Sequence, residues 1–405
     1  MSKSQTLRFD DGAVQFRQRI VVSLLSHKPL LIRNIRADDL RNPGLKDYEA
    51  SFLRLIDQIT NGSKMEINST GTQLRFKPGG LLGGEVEHTC PTSRSIGWFL
   101  EGILPLAPFG KEALEVTFHG ITDGLCEIDP SADYWKRSTI QLFQKFGIGT
   151  DEDEEYKPEI EIVQRAAAPT TSAENASSTA NMHNNYTGQV RLVCPIAKPA
   201  LSSIDWTDPG KIKRVRGNAV SCKIVSSSMA ARVAYATKGV FHKLLPDVWI
   251  HTDVHTQKRN RCGPNPGMMV VVTSESTTGV ALTAECCMNH HNTQEQTGGD
   301  AHSNRGKELP EELGQRVAYT LLEEIRRGGC IDTASQSLAF LWMALTPEDV
   351  SRIRVGTLSQ YSIETLRLIK QAFGVEFKVT PDMETKTVLL SCLGTGYRNM
   401  ARAST

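Results

Sequence analysis

The sequence lacks several features that would assign a function directly. Its 405 residues contain no stretch near the ~20 consecutive apolar residues that a helix needs to span a bilayer. The 46 basic and 45 acidic side chains give a formal net charge of +1, so no overall field draws the chain to nucleic acid or to a membrane. Neither a G-x-S-x-G nor an H-E-x-x-H motif occurs. We therefore expect no membrane partner, and any nucleic-acid contact must come from a local patch.

Histidine and cysteine are distributed in a way that argues against a metal site. None of the ten histidines follows His302, and the nine cysteines are scattered and odd in number. The first residues, MSKSQTLRFDDG, lack the apolar run of a signal peptide, so we expect reduced thiols in the cytosol or nucleus. In CCMNHH (Cys286–His291), adjacent cysteines on a strand would point to opposite faces, and no second ligand pair follows. We expect no metal ion and no cofactor.

An amphipathic helix, a glycine and strand-like segments follow one another three times. The helices are ASFLRLIDQITNG, YWKRSTIQLFQKFG and SIETLRLIKQAFG, which end at Gly62, Gly147 and Gly374. Apolar residues recur at spacings of three and four, and Ser359 or Ser362 suits the start of the third helix. An earlier helix of each unit is predicted at Gln18–Ser26, Ser93–Leu106 and Glu312–Arg327. The pattern predicts three β-α-β-α-β-β units in a layered α/β (α+β) fold.

The second and third units are separated by extra sequence. Two segments, Ala166–Gly188 and Asn289–Lys307, are rich in small polar residues and poor in large apolar ones, which is typical of disordered linkers. Between them, residues 208–288 contain strand-like and helix-like stretches, and we predict a small inserted α/β domain there. The predicted organisation is repeat 1 at 1–98, repeat 2 at 99–207 with a disordered loop at 166–188, the inserted domain at 208–288, a linker at 289–307 and repeat 3 at 308–405.

Basic residues form two local clusters on this near-neutral chain. The stretches KIKRVRG and HTQKRNRCGPNPG contain Lys211, Lys213, Arg214, Arg216, Lys258, Arg259 and Arg261. Such clusters can bind a phosphate backbone or an acidic protein partner. An ordinary solvated surface is the alternative, and no aromatic RNA-binding motif accompanies the clusters. Arg36 precedes a turn and a helix, where a basic residue can join backbone N–H groups in binding an anion.

Several stretches together resemble the RNA 3′-terminal phosphate cyclase family. They are IRADDLRNPGLKDY, STGTQLRFKPGG, GITDGLCEIDPSADYWK and IDTASQSLAFLWMAL. The resemblance covers nearly the whole chain outside the linkers. It implies three β-α-β-α-β-β repeats and an inserted α/β domain. Active members adenylylate a histidine near the C-terminus and use the AMP to activate an RNA 3′-phosphate.

The resemblance also implies that the cyclase site has decayed. The histidine begins an H-x-x-T-N-like stretch in active members, and here that stretch is SIETL, with Ser362 in place of the histidine. A shift of one residue in the alignment would place Tyr361 there instead. An Asp-Gln pair of active cyclases falls on Ser337 and Leu338. Arg17 and Arg36 remain, so part of an anion pocket is expected to persist. The catalytic nucleophile is therefore predicted to be absent.

These losses resemble the cyclase-like branch of eukaryotes, which works in the nucleolus. The resemblance implies a non-catalytic ribosome biogenesis factor of the small-subunit processome that acts in pre-rRNA processing and 18S rRNA maturation. Its expected partners are a nucleolar ribosome-assembly GTPase, pre-rRNA and the pre-ribosomal particle. The alternatives are an endonuclease that cleaves pre-rRNA and an active cyclase. An endonuclease needs acid–base groups or metal-bound carboxylates in one pocket, and the sequence alone assembles none.

Overall fold

The first unit of the fold places two helices between its strands. In this computed structural model the described residues are 6–124, 128–150, 157–168, 188–197, 200–223, 227–256, 262–263, 265–288 and 308–399. The elements of the first unit are β1 (Leu7–Phe9), α1 (Phe16–Ser26), β2 (Leu30–Ile32), α2 (Asp47–Ile59), β3 (Thr60–Asn61), β4 (Lys64–Ile67), β5 (Leu74–Lys77) and β6 (Gly80–Leu81). Strands β3 and β6 form a separate two-stranded sheet.

The second unit repeats this order. Its elements are β7 (Gly84–Thr89), α3 (Ile96–Ile103), a 3₁₀ turn (Ala107–Phe109), β8 (Leu114–Gly120), α4 (Ala132–Lys145), β9 (Glu159–Gln164) and β10 (Gly188–Cys194). Helices α3 and α4 begin at serine caps, because Ser95 and Ser131 accept hydrogen bonds from the N–H groups of Gly97 and Tyr134.

The remaining chain contains an inserted sheet and the third unit. Strand β11 (Asp205–Trp206) comes first, followed by β12 (Ile212–Cys222), α5 (Ser227–Phe241), β13 (Val248–His255), β14 (Gly267–Ser276), β15 (Ala281–Cys287) and α6 (Pro310–Arg327). The chain then forms α7 (Gln336–Ala344), β16 (Val350–Val355), α8 (Gln360–Phe373), β17 (Lys378–Asp382) and β18 (Thr387–Leu393).

Three four-stranded sheets share one topology. Their orders are β1-β2-β5-β4, β7-β8-β10-β9 and β11-β16-β18-β17. In each sheet the first two strands are parallel and the other pairs are antiparallel. A fourth sheet, β13-β12-β14-β15, is the inserted one. The layered α/β fold and its β-α-β-α-β-β units are thus confirmed, and the precise domain boundaries stay predictions.

The helix predicted at Glu312–Arg327 packs elsewhere than expected. It forms as α6, but it lies with α5 on the inserted sheet, in contact with β14 and β15. The first helix of the third unit is instead α7, which packs on α8 and β18. The prediction that Glu312–Arg327 is the first helix of the third unit is therefore wrong. An amphipathic pattern shows that one face is buried without showing which sheet buries it.

Two predicted linkers fall largely outside the described residues. Residues 169–187 of the first and all of 289–307 lie there. Ala166 and Ala167, at the start of the first, are buried, and Ala166 exchanges hydrogen bonds with Thr122. The ordered chain thus continues past the predicted start of this loop.

One apolar core joins the units. Its largest buried side chains include Phe52, Phe99, Phe143, Phe146 and Trp342. Trp342 of α7 contacts Phe143 and Phe146 of the second unit, with ring centroids 5.8 and 5.4 Å apart. Helix α8 also packs against α1 of the first unit. This contact brings the start of α8 to the place where all three units meet.

Candidate functional site

Ser362 lies in the first turn of helix α8 and is fully buried. Ser359 caps the helix by accepting a hydrogen bond from the Ser362 N–H at 3.1 Å, and Gly374 ends it with φ 74°. The Ser362 hydroxyl donates to Gln336 Oε1 at 2.8 Å and lies 2.8 Å from Ser359 Oγ. Ser362 thus completes a polar cap, and its hydrogen-bond partners in the described part of the chain include neither a histidine nor a carboxylate.

The two residues predicted at the lost polar pair lie close to Ser362 on α7. Thr365 Oγ1 lies 3.3 Å from Ser337 Oγ, and Leu338 is 5% exposed. Both Ser337 and Leu338 line a cleft between α1, α7 and α8. The structure therefore brings together the residues that the resemblance placed at one site, although their roles stay predictions.

The cleft has about 410 Å³ of empty volume, part of it open to solvent. Its apolar lining consists of Val21, Val22, Pro105, Trp135, Ala334, Leu338 and Leu341, and its polar lining of Gln18, Glu101, Ser337 and Thr365. These polar groups include one carboxylate and no cation. Phosphate groups need several N–H donors or cations, and an apolar lining supplies none.

Tyr361, the alternative position for the lost histidine, belongs to a separate network. Its hydroxyl donates to Glu101 and accepts from Gln18 Nε2. Burial, and then the neighbouring Glu101 charge, raises the pKa of Tyr361 well above its ordinary value. Arg17 forms an ion pair with Glu101 at 2.8 Å and also donates to the Trp98 carbonyl. The raised pKa keeps the phenol protonated at neutral pH.

Arg17 and Arg36, the predicted anion-binding residues, are linked through two aromatic rings. The Arg17 guanidinium lies 4.2 Å from the Trp98 ring centroid, and Trp98 meets Tyr48 edge-on at 5.1 Å. Arg36 binds Glu49 through two N–H groups and lies 3.5 Å from the Tyr48 hydroxyl. Each arginine already has a carboxylate partner, so an anion bound at either position would compete with that carboxylate.

The first predicted basic cluster lies at the start of strand β12. Lys211 and Lys213 are both exposed and have no carboxylate ion pair among the described residues. Arg214 pairs with Glu275, and Arg216 pairs with Asp247 at 2.9 Å. In the second cluster, Lys258, Arg259 and Arg261 lie outside the described residues.

A buried charged network, missed at the sequence level, joins the inserted sheet to the second unit. Arg165 makes a two-pronged ion pair with Asp133 at 2.7 and 2.9 Å. Glu285 accepts hydrogen bonds from the Ser131 N–H at 2.7 Å and from its hydroxyl, at the start of α4. Burial raises the pKa of Glu285 to about 7 and that of Asp123 to about 6. These carboxylates are distant in sequence, and no local pattern marks them as neighbours.

A metal ion requires a defined geometry of acidic, imidazole or sulfur-containing side chains. Across the described ranges, no group of three or more His, Cys, Asp or Glu side chains is arranged to hold a metal ion. Cys286 and Cys287 are buried on β15, and the histidines of CCMNHH lie outside those ranges. None of the helices in the described part of the chain has the length and apolar character needed to cross a membrane.

Comparison with known proteins identifies the family. Residues 9–379 match the family model described as RNA 3′-terminal phosphate cyclase. The chain belongs to this family. A Dictyostelium discoideum protein named "Probable RNA 3′-terminal phosphate cyclase-like protein" is 44% identical over 97% of this chain and 98% of its own length. The human RNA 3′-terminal phosphate cyclase-like protein is 42% identical over 96% of both chains.

A Schizosaccharomyces pombe relative has a more specific name. It is called "rRNA processing protein rcl1", and it is 35% identical over 99% of both chains. The resemblance noted from the sequence is thereby confirmed as membership of the cyclase family. The assignment of the nucleophile position to Ser362, or to Tyr361 in the shifted alignment, stays a prediction.

Proposed function

We propose that this protein is a non-catalytic ribosome biogenesis factor that acts in rRNA processing through binding. The observation that carries the proposal is the Ser362 hydroxyl, which is buried and donates to Gln336 at 2.8 Å. A serine hydroxyl needs an adjacent base to attack a phosphate, and the partners of this hydroxyl in the described chain are a serine and an amide. Among the described residues, the lining of the largely apolar cleft beside it includes no cation for ATP.

The name of the Schizosaccharomyces pombe relative supports the link to rRNA processing. At a finer level, we propose that the protein joins the small-subunit processome in the nucleolus and assists 18S rRNA maturation. Its proposed partners are pre-rRNA and a nucleolar ribosome-assembly GTPase. Lys211 and Lys213, which lack a carboxylate ion pair within the described ranges, suit the phosphates of RNA or an acidic protein segment.

The test is a replacement experiment in cells depleted of their own copy of this protein. We expect the wild-type chain and Ser362→Ala to restore 18S rRNA equally, because the hydroxyl bonds Gln336 between two packed helices and performs no chemistry. Cross-linking should recover pre-rRNA with both proteins. Loss of 18S rRNA with a folded Ser362→Ala protein would overturn the non-catalytic proposal. Failure of the wild-type chain to associate with pre-rRNA would overturn the binding role.

The proposed GTPase partner needs a separate measurement. Affinity capture of the intact protein from nuclear extract should recover one GTPase in a fixed ratio to the captured chain. Charge reversal at Lys211 and Lys213 should reduce recovery of either the GTPase or pre-rRNA. Unchanged recovery of both at low and moderate salt would show that these lysines are merely solvated.

A further inference from the structure

An aromatic pair is exposed on the edge strand of the inserted sheet. Trp249 is 57% exposed on β13, and its indole lies nearly parallel to the His251 ring, with centroids 6.5 Å apart and an angle of 24°. The other four tryptophans, Trp98, Trp135, Trp206 and Trp342, are all buried. An exposed indole leaves a large apolar area in water, which is typical of a binding surface.

Successive side chains of β13 point to opposite faces of the sheet, and this alternation determines which face carries the aromatic pair. Val248 and Ile250 are buried on the face that packs against α5. Trp249 and His251 alternate with them and therefore share the opposite face, two residues apart. This spacing places the two nearly parallel rings on one face of the sheet.

Asp247 and the neighbouring strand β12 lie beside the Trp249 ring. Asp247 interacts with the Trp249 side chain and also pairs with Arg216 at 2.9 Å, and these contacts, led by Arg216, lower the pKa of Asp247. The parallel register of β12 and β13 puts Arg216 beside Trp249 and Asn218 beside His251.

Basic residues lie on the elements next to the pair. Arg216 lies next to Trp249, Arg214 lies two residues earlier on the same strand, and Lys211 and Lys213 precede it at the start of β12. Arg137 of α4 donates to Asn218 Oδ1 at 3.2 Å and has no carboxylate ion pair among the described residues. Asp247, Glu275 and Asp253 also lie on this face, and the first two pair with Arg216 and Arg214. Lys211, like Arg137, has no carboxylate ion pair among the described residues.

We propose that Trp249 and His251 form a stacking platform for single-stranded RNA, with Lys211 and Arg137, which have no carboxylate ion pair among the described residues, contacting its phosphates. Unpaired bases stack on aromatic rings, whereas the bases of a duplex are already stacked on each other. An acidic peptide would use the cations but would not require two neighbouring ring faces. The inference rests on the proposed RNA-binding function and specifies the RNA form and the residues that bind it.

Tryptophan fluorescence of the full-length protein tests the platform directly. Because the other tryptophans are buried, base stacking should quench mainly Trp249. A short single-stranded polyadenylate should quench the emission, and a hairpin duplex should quench it little. Trp249→Ala and His251→Ala should each weaken binding, measured by anisotropy of labelled RNA, about 5- to 150-fold. Tyr235→Ala, at an 81% exposed aromatic residue on α5, is the matched control and should bind normally.

The outcomes separate the platform from the wider function. Both substituted rings are exposed, so thermal unfolding should match the wild type and exclude misfolding. Equal affinity of Trp249→Ala and wild type for single strands, or equal binding of duplex, would overturn the platform. Loss of a protein partner with unchanged RNA affinity would also overturn it. If the platform fails while pre-rRNA still cross-links elsewhere, the proposed function stands. If no RNA binds the wild type, both fail.

Discussion

The Ser362 hydroxyl donates a hydrogen bond to Gln336 Oε1 at 2.8 Å, across the contact between α8 and α7. The helix that would present a nucleophile in an active cyclase is thus intact. The polar groups of its first turn are hydrogen-bonded to one another and to α7. Hydrogen bonds join Ser362 to Ser359 and to Gln336, so these buried polar groups have partners. The residue at position 362 therefore stabilises the packing of α8 on α7. The following predictions test this structural role and the contacts around it.

Histidine at position 362 should not create a cyclase. Ser362 is completely buried, so Ser362→His overpacks the cap and should cost about 1–3 kcal/mol in unfolding free energy. Neither this variant nor Tyr361→His, the control for alignment register, should become labelled by ATP with a divalent metal. Robust covalent AMP on a folded variant of either kind would show that the cleft still holds and orients ATP.

The Arg17–Glu101 ion pair should be strongly coupled. Its two side chains are 11% and 15% exposed, so Glu101→Gln leaves a poorly hydrated cation and should cost about 3 kcal/mol. A double-mutant cycle with Arg17→Met should give a coupling energy of about 0.5–3 kcal/mol by chemical denaturation. The exposed Arg326–Glu323 pair is the control and should give a coupling near zero. Equal coupling energies in the two cycles would contradict the claim that burial strengthens the Arg17–Glu101 pair.

Stability should depend on pH through Glu285. Its pKa in the folded state, about 7, lies above the ordinary value of 4.5, so the folded protein holds the proton more tightly than the unfolded chain. The stabilisation that comes from this tighter proton binding is complete below about pH 4.5 and is lost as the pH rises through about 7. The unfolding free energy of Glu285→Gln minus that of wild type should therefore rise with pH, by about 3 kcal/mol at most. The exposed Glu384→Gln should show no such trend. A flat difference at position 285 would refute the raised pKa.

Gly97 should tolerate no side chain. A Cβ there would lie 1.6 Å from the Pro130 carbonyl oxygen, so Gly97→Ala must push α3 away from the start of α4. We expect the unfolding free energy, measured by thermal unfolding, to fall by about 1–3 kcal/mol or more. At Gly239 on α5 an added Cβ would have no neighbouring atom within 4 Å among the described residues, and Gly239→Ala should stabilise by about 0.5–1 kcal/mol. The same sign of change at both positions would contradict this packing.

The elements that can be predicted best from the sequence are those with local signals. Helix α8 follows from its apolar spacing, its serine cap and Gly374, and the three units follow from repetition of that pattern. Partners distant in sequence carry no such signal. Nothing near Arg17 identifies Glu101, which lies on another helix. The stretch KIKRVRG indicates only a charged patch, although Arg214 and Arg216 belong to strand β12.

The sequence around Trp249 contains a strand signal, but that signal does not show which residues are exposed in the folded protein. Val248 and Ile250 alternate with Trp249 and His251, which predicts a half-buried strand. Alternation cannot tell whether the aromatic face is covered by another unit. The second unit does cover this sheet near Glu285, yet it leaves Trp249 exposed. That outcome depends on how the inserted sheet sits on α4, which no local pattern encodes.

Covalent labelling of the wild-type protein by ATP is the most direct test of the non-catalytic proposal. The protein would be incubated with labelled ATP, a divalent metal and RNA ending in a 3′-phosphate, then denatured, with an active cyclase assayed in parallel. We predict no protein-bound AMP and no cyclic phosphate at the RNA end, while the same preparation binds single-stranded RNA. A stable adenylate on the protein, or cyclised RNA ends, would contradict the proposed function.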